Sequence, residues 1–245
     1  MKIVLTSLNL RIERGKRKED YGISQNIARK QLSIKNTDIY TNVEFMDCDN
    51  IDYLKMFVDS GYKSFVSLDA NGRGILCEIK KEYTVSKVYE MTDPHMLHLR
   101  VTKENEYIDL ITVRILVARG NDADYKDRYR QWQKLLNYID GLPDNSHIVL
   151  TGDFNHGVIC RETNGYQFRP RQYFNYQMVV NDLESKNITL YPMEGNSFRG
   201  YMKIDHIATG EKIVVDNATY KDVFLNTEKV GVPDHSCIVA NIKCA

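Results

Sequence analysis

From Tyr62 to Val117 the chain passes through short stretches rich in β-branched and aromatic residues: YKSFVSL, GRGILCEIK, YTVSKVYE, HMLHLRV and YIDLITVRILV. Only brief polar connections part them. Stretches of this length and composition predict strands, and connections this short predict antiparallel meanders. Strand-like segments also flank the region. KIVLTSL (residues 2–8) and DIYTNVEF (Asp38 to Phe45) precede it, and HIVLTG, KIDHIATG, IVVDNATY and SCIVANIK follow.

Helices are fewer. Between Asp122 and Asp140, residues Tyr125, Tyr129, Trp132, Leu135, Leu136 and Ile139 form one apolar stripe, read as core. Gly141 suits the end of this helix and Pro143 stops it. Ile23, Ile27 and Ile34, with Leu32 beside them, predict a helix within Tyr21 to Lys35. Ile51, Leu54, Met56, Phe57 and Val58 suggest a short one ending at Gly61. Strand runs interrupted by two or three helices fit two face-to-face sheets with helices outside. The expectation is an α+β, four-layer α/β/β/α sandwich of two mostly antiparallel sheets. No repeat, low-complexity tract or linker divides the 245 residues, so 1–245 reads as one domain and a monomer.

The apolar part of MKIVLTSLNLR is too short for a secretory leader, and no apolar run could span a bilayer. The five cysteines are odd in number, scattered, and form no C-x-x-C pair, which suits a reducing, cytoplasmic setting. Lys+Arg and Asp+Glu are equal at 33 each. Affinity for a polyanion would therefore need a local basic rim rather than an overall charge.

Several short segments carry reactive groups at strand ends: SLNLR (Ser7–Arg11), DIYTNVE (Asp38–Glu44), LTGDFN (Leu150–Asn155), KIDHI (Lys203–Ile207) and PDHS (Pro233–Ser236). Glu44, Asp153, Asp205 and Asp234 are carboxylates placed where strand ends could converge, and His235 adjoins one of them. Hydrolysis of a phosphate ester requires shielding of its charge, an activated water and a stabilised leaving oxygen. Hard divalent cations suit such oxygen ligands, and magnesium commonly uses only one or two carboxylates. Viewed alone, each group has a plainer reading as a solvated strand-end or turn residue.

The ordered set N…E…GDFN…IDH…DH, spanning Asn9 to His235, resembles the endonuclease/exonuclease/phosphatase superfamily, deoxyribonuclease-I-like and exonuclease-III-like. The resemblance implies a phosphoric ester hydrolase dependent on Mg2+ or Mn2+. Glu44 matches the principal metal ligand, Asn9 the amide that helps position metal and phosphate, and Asp234 a group bonding metal-bound water or a second metal position. Asp153 would orient or deprotonate the attacking water, and Asn155 would donate to the phosphate. Asp205 would fix the tautomer of His235, which either takes a proton from water or balances developing charge.

Two positions depart from the family pattern. Arg114 stands where a His or Tyr usually contacts the phosphate; it binds phosphate oxygen well but is a poor proton donor. Val43 replaces a Gln that often supports the Glu. Arg11 is either a substrate-side cation or a solvated loop residue. His206 should point to the far side of its strand, and His156, His95, His98 and His147 are read as structural.

RIERGKRK (Arg11 to Lys18) and YQFRPRQYFNY (Tyr166 to Tyr176) interleave arginines and aromatics, or pack as ordinary loops. Both follow active-site strand ends, which favours a nuclease acting on DNA or RNA. The alternatives are a phosphatase or phosphodiesterase of small or inositol-lipid esters, and a catalytically weakened binding member.

Overall fold

The computed structural model describes residues 1–11, 22–46, 53–157, 169–222 and 233–245, with the backbone alone at 22–26 and 169–170. The basic stretch beyond Arg11, the aromatic stretch before Arg169, Ile51 and the side chain of Ile23 lie outside this description. Among the described residues, twelve strands form two six-stranded sheets. In the first, β11 (Ile213–Lys221), β12 (Cys237–Cys244), β1 (Lys2–Asn9), β2 (Ile39–Met46), β4 (Arg73–Lys80) and β3 (Tyr62–Leu68) lie side by side. The second runs β5 (Thr84–Thr92), β6 (His95–Lys103), β7 (Glu106–Arg114), β8 (Ile148–Asp153), β10 (Asp205–Gly210) and β9 (Ile188–Leu190). Pairing is antiparallel except at β1/β2 and β7/β8, each joined through a helix-containing crossover.

Side-chain alternation sorts the strands' apolar residues into layers. Leu5, Ile39, Ile75 and Ile238 of the first sheet meet Leu97, Leu99, Leu110 and Val149 of the second in the inter-sheet core. The opposite face of the first sheet, with Leu8, Tyr40 and Leu76, is covered by α1 (Gly22–Leu32) through Ile27 and Ala28 and by α2 (Tyr53–Asp59) through Tyr53 and Phe57. On the outer face of the second sheet, Ile111, Val113 and Leu150 receive Trp132, Leu135 and Leu136 of α3 (Asp122–Asp140), with Val179 and Leu183 of α4 (Tyr176–Glu184). The four layers expected from the sequence are therefore present.

The differences from expectation are local. The meander between Tyr62 and Val117 divides: β3 and β4 close one sheet's edge, while β5 to β7 open the other. β7 stops at Arg114, because the side chain of Gln131 takes the backbone of Leu116, accepting from its N–H (2.7 Å) and donating to its carbonyl (3.2 Å). α4, a short 3-10 helix at Arg169–Tyr173 and the three-residue β9 were not foreseen. No helix among the described residues is long and apolar enough to cross a membrane.

One buried acid strains this packing. Glu78, on the helix side of β4, is fully buried, accepts from Ser64 Oγ (2.7 Å), and leaves Oε1 without a partner among the described residues. Burial pushes its carboxyl up to about 8. The unfolded chain releases this proton at ordinary acid pH and the folded one holds it, so stability falls as pH rises from about 4.5 to about 8. Glu78→Gln should raise stability by at least about 1 kcal/mol at pH 8 and by less at pH 5. Urea titrations at the two pH values would show it, and equal shifts at both would rule out an ionisation origin.

Candidate active site

Arg114, Asp153 and Asp205 lie in one row across β7, β8 and β10, with Arg114 opposite Asp153 and Asp153 opposite Asp205. Each continues the inward register of its strand: Ile108 and Leu110 lead to Arg114, Val149 to Asp153, and Ile207 follows Asp205. Gly152 lets the row form. Its φ is +131°, and a Cβ there would stand 2.1 Å from the Val113 carbonyl oxygen, so only glycine permits this approach of β8 to β7.

The facing sheet supplies Asn9 and Glu44. Asn9 ends β1 on its inward face. Strict alternation after inward-facing Val43 would turn Glu44 towards the helices. Instead the register with β4 slips between Val43 and Phe45, and Glu44 becomes the extra residue of a bulge with φ +55°. Phe45 resumes the helix-facing row, and the Glu44 carboxylate reaches the mouth between the sheets. There the Asn9 amide donates to Glu44 Oε1 (3.2 Å) and Asp153 Oδ2 (3.0 Å), tying the two sheets together. Arg114 donates to Glu44 Oε1 at 2.6 Å, and Arg73 stands 3.7 Å from Oε2. Burial opposes ionisation of Glu44, but Arg114, Arg73 and the Asn9 hydrogen bond outweigh it and hold the carboxyl below its ordinary value. Val43 belongs to the inter-sheet core, so Asn9 and Arg114 hold Glu44 without a glutamine.

His235 precedes β12 and packs its ring on Phe198, centroids 4.9 Å apart. Its Nδ1 meets Asp205 Oδ2 at 2.7 Å, while Nε2 lies 3.9 Å from Asp234 Oδ1. Asp205 is fixed in turn, since Ser197 Oγ accepts from its backbone N–H (3.0 Å) and the Tyr220 hydroxyl donates to its carbonyl (2.6 Å). Burial disfavours a charged His235, but Asp205 on Nδ1 and the nearby Asp153 and Asp234 override it and lift the ring to about 9. Asp153 moves up as well, through burial and the adjacent Asp205. Asp234 Oδ2 accepts from Arg11 (3.1 Å) and from Arg199 Nε (2.9 Å), whereas Oδ1 is buried without a hydrogen-bond partner among the described residues.

Asp153 and Asn155 converge, although not through strand alternation. β8 ends at Asp153, and Asn155 adopts a left-handed φ of +46° that folds its side chain back. Asn155 Nδ2 donates to Asp153 Oδ2 (2.8 Å) and to the Ile115 carbonyl (2.8 Å), and its N–H to Asp153 Oδ1 (3.1 Å). All eight sequence-predicted site residues thus meet at one mouth of the sandwich. Oxygen-rich donors of this kind fit a hard divalent cation, and Asp153, Asp205 and His235 offer ligand atoms within 4.8 Å of one another.

The mouth opens into a cleft of about 490 Å³ whose walls, among the described residues, carry six arginines, no lysine, and the carboxylates Glu44, Asp153 and Asp234. Arg11 lines it, which decides that residue's position. Arg73, Arg128 and Arg199 went unnoticed in the sequence. Only Arg128 carried a signal, as an arginine inside the buried stripe of α3, three residues after Tyr125 and four before Trp132. Within the aromatic stretch, Arg171 reaches the cleft but Phe174 is core beside Trp132. His206 faces the helix side of β10 as expected, paired with His156 (Nε2–Nε2 2.7 Å), and burial pushes both rings down, His156 to about 4. His95 and His98 are buried beside Asp69 and Asp109.

This architecture is the deoxyribonuclease-I-like fold of the endonuclease/exonuclease/phosphatase proteins. A variant of the 3′ phosphatase NExo from Neisseria, bound to product DNA hairpin, matches with a TM-score of 0.67 and 16% identity, over 99% of each chain. TDP2 from D. rerio, complexed with single strand DNA product, matches at 0.63 and 13%, over 99% of each chain. An endonuclease/exonuclease/phosphatase family protein from Bacteroides thetaiotaomicron matches at 0.62 and 15%, over 99% of this chain and 97% of that one. No protein-family model and no curated protein sequence matches the chain.

The Asp205–His235 pair stabilises the fold below the ring's unfolded value of about 6.5, and the contribution is lost as pH rises through about 9. Asp205→Asn should bring the His235 ring titration back towards its ordinary value, read by NMR of the imidazole nitrogens. A titration still near 9 in the variant would remove Asp205 as the cause.

Proposed function

We propose that this protein is a divalent-metal-dependent phosphodiesterase, a nuclease that hydrolyses DNA or RNA by in-line attack of an activated water. The observation that carries the reading is the meeting of Asn9, Glu44, Asp153, Asp205 and His235 at the floor of a cleft walled by arginine. Glu44, Asn9 and Asp234 would hold Mg2+ or Mn2+, which when bound shields phosphate charge and stabilises the leaving oxygen. Asp153, held by two amides, receives the proton of the attacking water. His235, charged through Asp205, offsets the negative charge that grows on the phosphoryl oxygens. Asn155, expected to donate to the phosphate, instead keeps Asp153 aimed, because its amide hydrogens go to Asp153 and to the Ile115 carbonyl. Arg114 takes the place of a neutral phosphate-side ring and binds phosphate oxygen as a fixed cation. The solved neighbours caught with single strand DNA product and with a product DNA hairpin support a nucleic-acid substrate. We assign the action to a single domain, 1–245, working as a monomer. The free thiols of Cys77, Cys237 and Cys244 suit the cytoplasm.

The Arg114–Glu44 ion pair at 2.6 Å favours one other reading, a binding protein whose metal carboxylate is neutralised from within. Turnover separates the two. With Mg2+, plasmid DNA or RNA should be cleaved, and chelation should abolish cleavage. Glu44→Ala and His235→Ala should each lower kcat/KM by about 10²-fold or more. Arg114→His should keep or raise activity. Intact plasmid and RNA beside hydrolysed phosphomonoesters would make the protein a phosphatase, and no turnover on any ester would leave the binding reading.

A further inference from the structure

Past the catalytic cluster, on the α3 side, the cleft continues as an arm lined by Val117, Ala118, Gly120, Tyr125, Arg128 and Arg171. Arg128 is only 8% exposed. Its NH1 donates to the Asn155 carbonyl (2.8 Å) and its NH2 to Asp124 Oδ2 (2.5 Å), and its guanidinium lies 4.2 Å from the Tyr125 ring centroid. Nε, also buried, finds no hydrogen-bond acceptor among the described residues. A buried charged donor without an acceptor is costly, and it leaves this cation under-satisfied at the wall of the cleft that it lines. The arrangement is rigid as well. Asp124 accepts from the backbone N–H of Ala118 (2.9 Å) and of Gly120 (2.7 Å) besides Arg128, so one carboxylate locks the cation and the facing loop together. Arg171 closes the other side, its stem packed so tightly on Gly157 that a Cβ there would stand 2.7 Å from Arg171 Cβ and Cγ.

We propose that this arm is a second phosphate subsite, seating the backbone phosphate next to the one hydrolysed, so that the substrate is an oligonucleotide strand rather than a terminal monoester. The inference rests on the hydrolase reading for its direction, while its ligand chemistry stands on the arm alone. The Arg128 guanidinium, fixed by a carboxylate and a ring, is preorganised for phosphate oxygens. The arm joins the cluster through Asn155, which bonds Asp153 with its side chain and Arg128 with its carbonyl. A strand running along the cleft would therefore meet the two sites in succession.

Binding and turnover test it separately. Fluorescence anisotropy of a labelled thymidine hexamer should give a Kd about tenfold weaker for Arg171→Ala and for Arg128→Lys. The log–log salt slope should shrink by about 0.7 in Arg171→Ala, the signature of one lost cationic contact on a single strand, and stay nearly unchanged in the charge-conserving Arg128→Lys. A neutral methylphosphonate placed beside the scissile linkage should weaken wild-type binding by a like factor and add little in Arg171→Ala. In Mg2+, wild-type kcat/KM should rise about tenfold from a one-phosphate nucleoside diester to a trinucleotide. A hexamer whose affinity and salt slope ignore both substitutions would overturn the subsite. So would cleavage of the one-phosphate diester with no gain from length. Binding that responds as expected without any cleavage would retain the subsite and remove the hydrolase reading.

Discussion

Asp153 and Asp205 stand opposite each other on adjacent buried strands, and Glu44 approaches from the facing sheet. Carboxylates so close and so dry repel unless counter-charges and donors share the space. Arg114 serves Glu44, His235 serves Asp205, and the Asn9 amide stands between Glu44 and Asp153. The surrounding geometry follows from this requirement. The bulge at Glu44, the close strand approach at Gly152 and the back-folded Asn155 each bring a charge or a donor to a spot regular strands would miss. Two of these three carry a positive φ on residues other than glycine, a cost borne where the site gains most.

The site sits at one end because both parallel pairs, β1/β2 and β7/β8, run their strands towards the same mouth. Inward parity then does the sorting. Apolar residues fill the inter-sheet space for most of each strand, and polar ones take the same row once water is reached. The outer faces carry different chemistry. The neutral His156–His206 pair and the buried Glu78 lie under helices, apart from the cleft.

Much of this was legible from the amino-acid order. Strand identity follows from local β-branched runs, and the reactive groups sit at strand ends in short recognisable segments, so Asn9, Glu44, Asp153, Asp205 and His235 were found. The bulge was not, because it depends on how β2 registers with β4, a partner well separated from it along the chain. The partner of Arg114 was hidden likewise, since Glu44 reaches it from the other sheet. β9, of three residues, is too short to impose a period. The cleft arginines come from two strands, a helix, a 3-10 segment and connecting segments, so no single stretch of sequence groups them.

That the cleft's basic side chains, among the described residues, are all guanidinium has an electrostatic consequence. Arginine keeps its proton through the whole range in which proteins stay folded. The anion-attracting wall is therefore constant from acid to alkaline solution, like a fixed plate rather than a titrating one. Among the described residues, a change of ligand capture with acidity then originates in the floor, where the carboxylates and the His235 imidazole exchange protons, and leaves this wall unaltered.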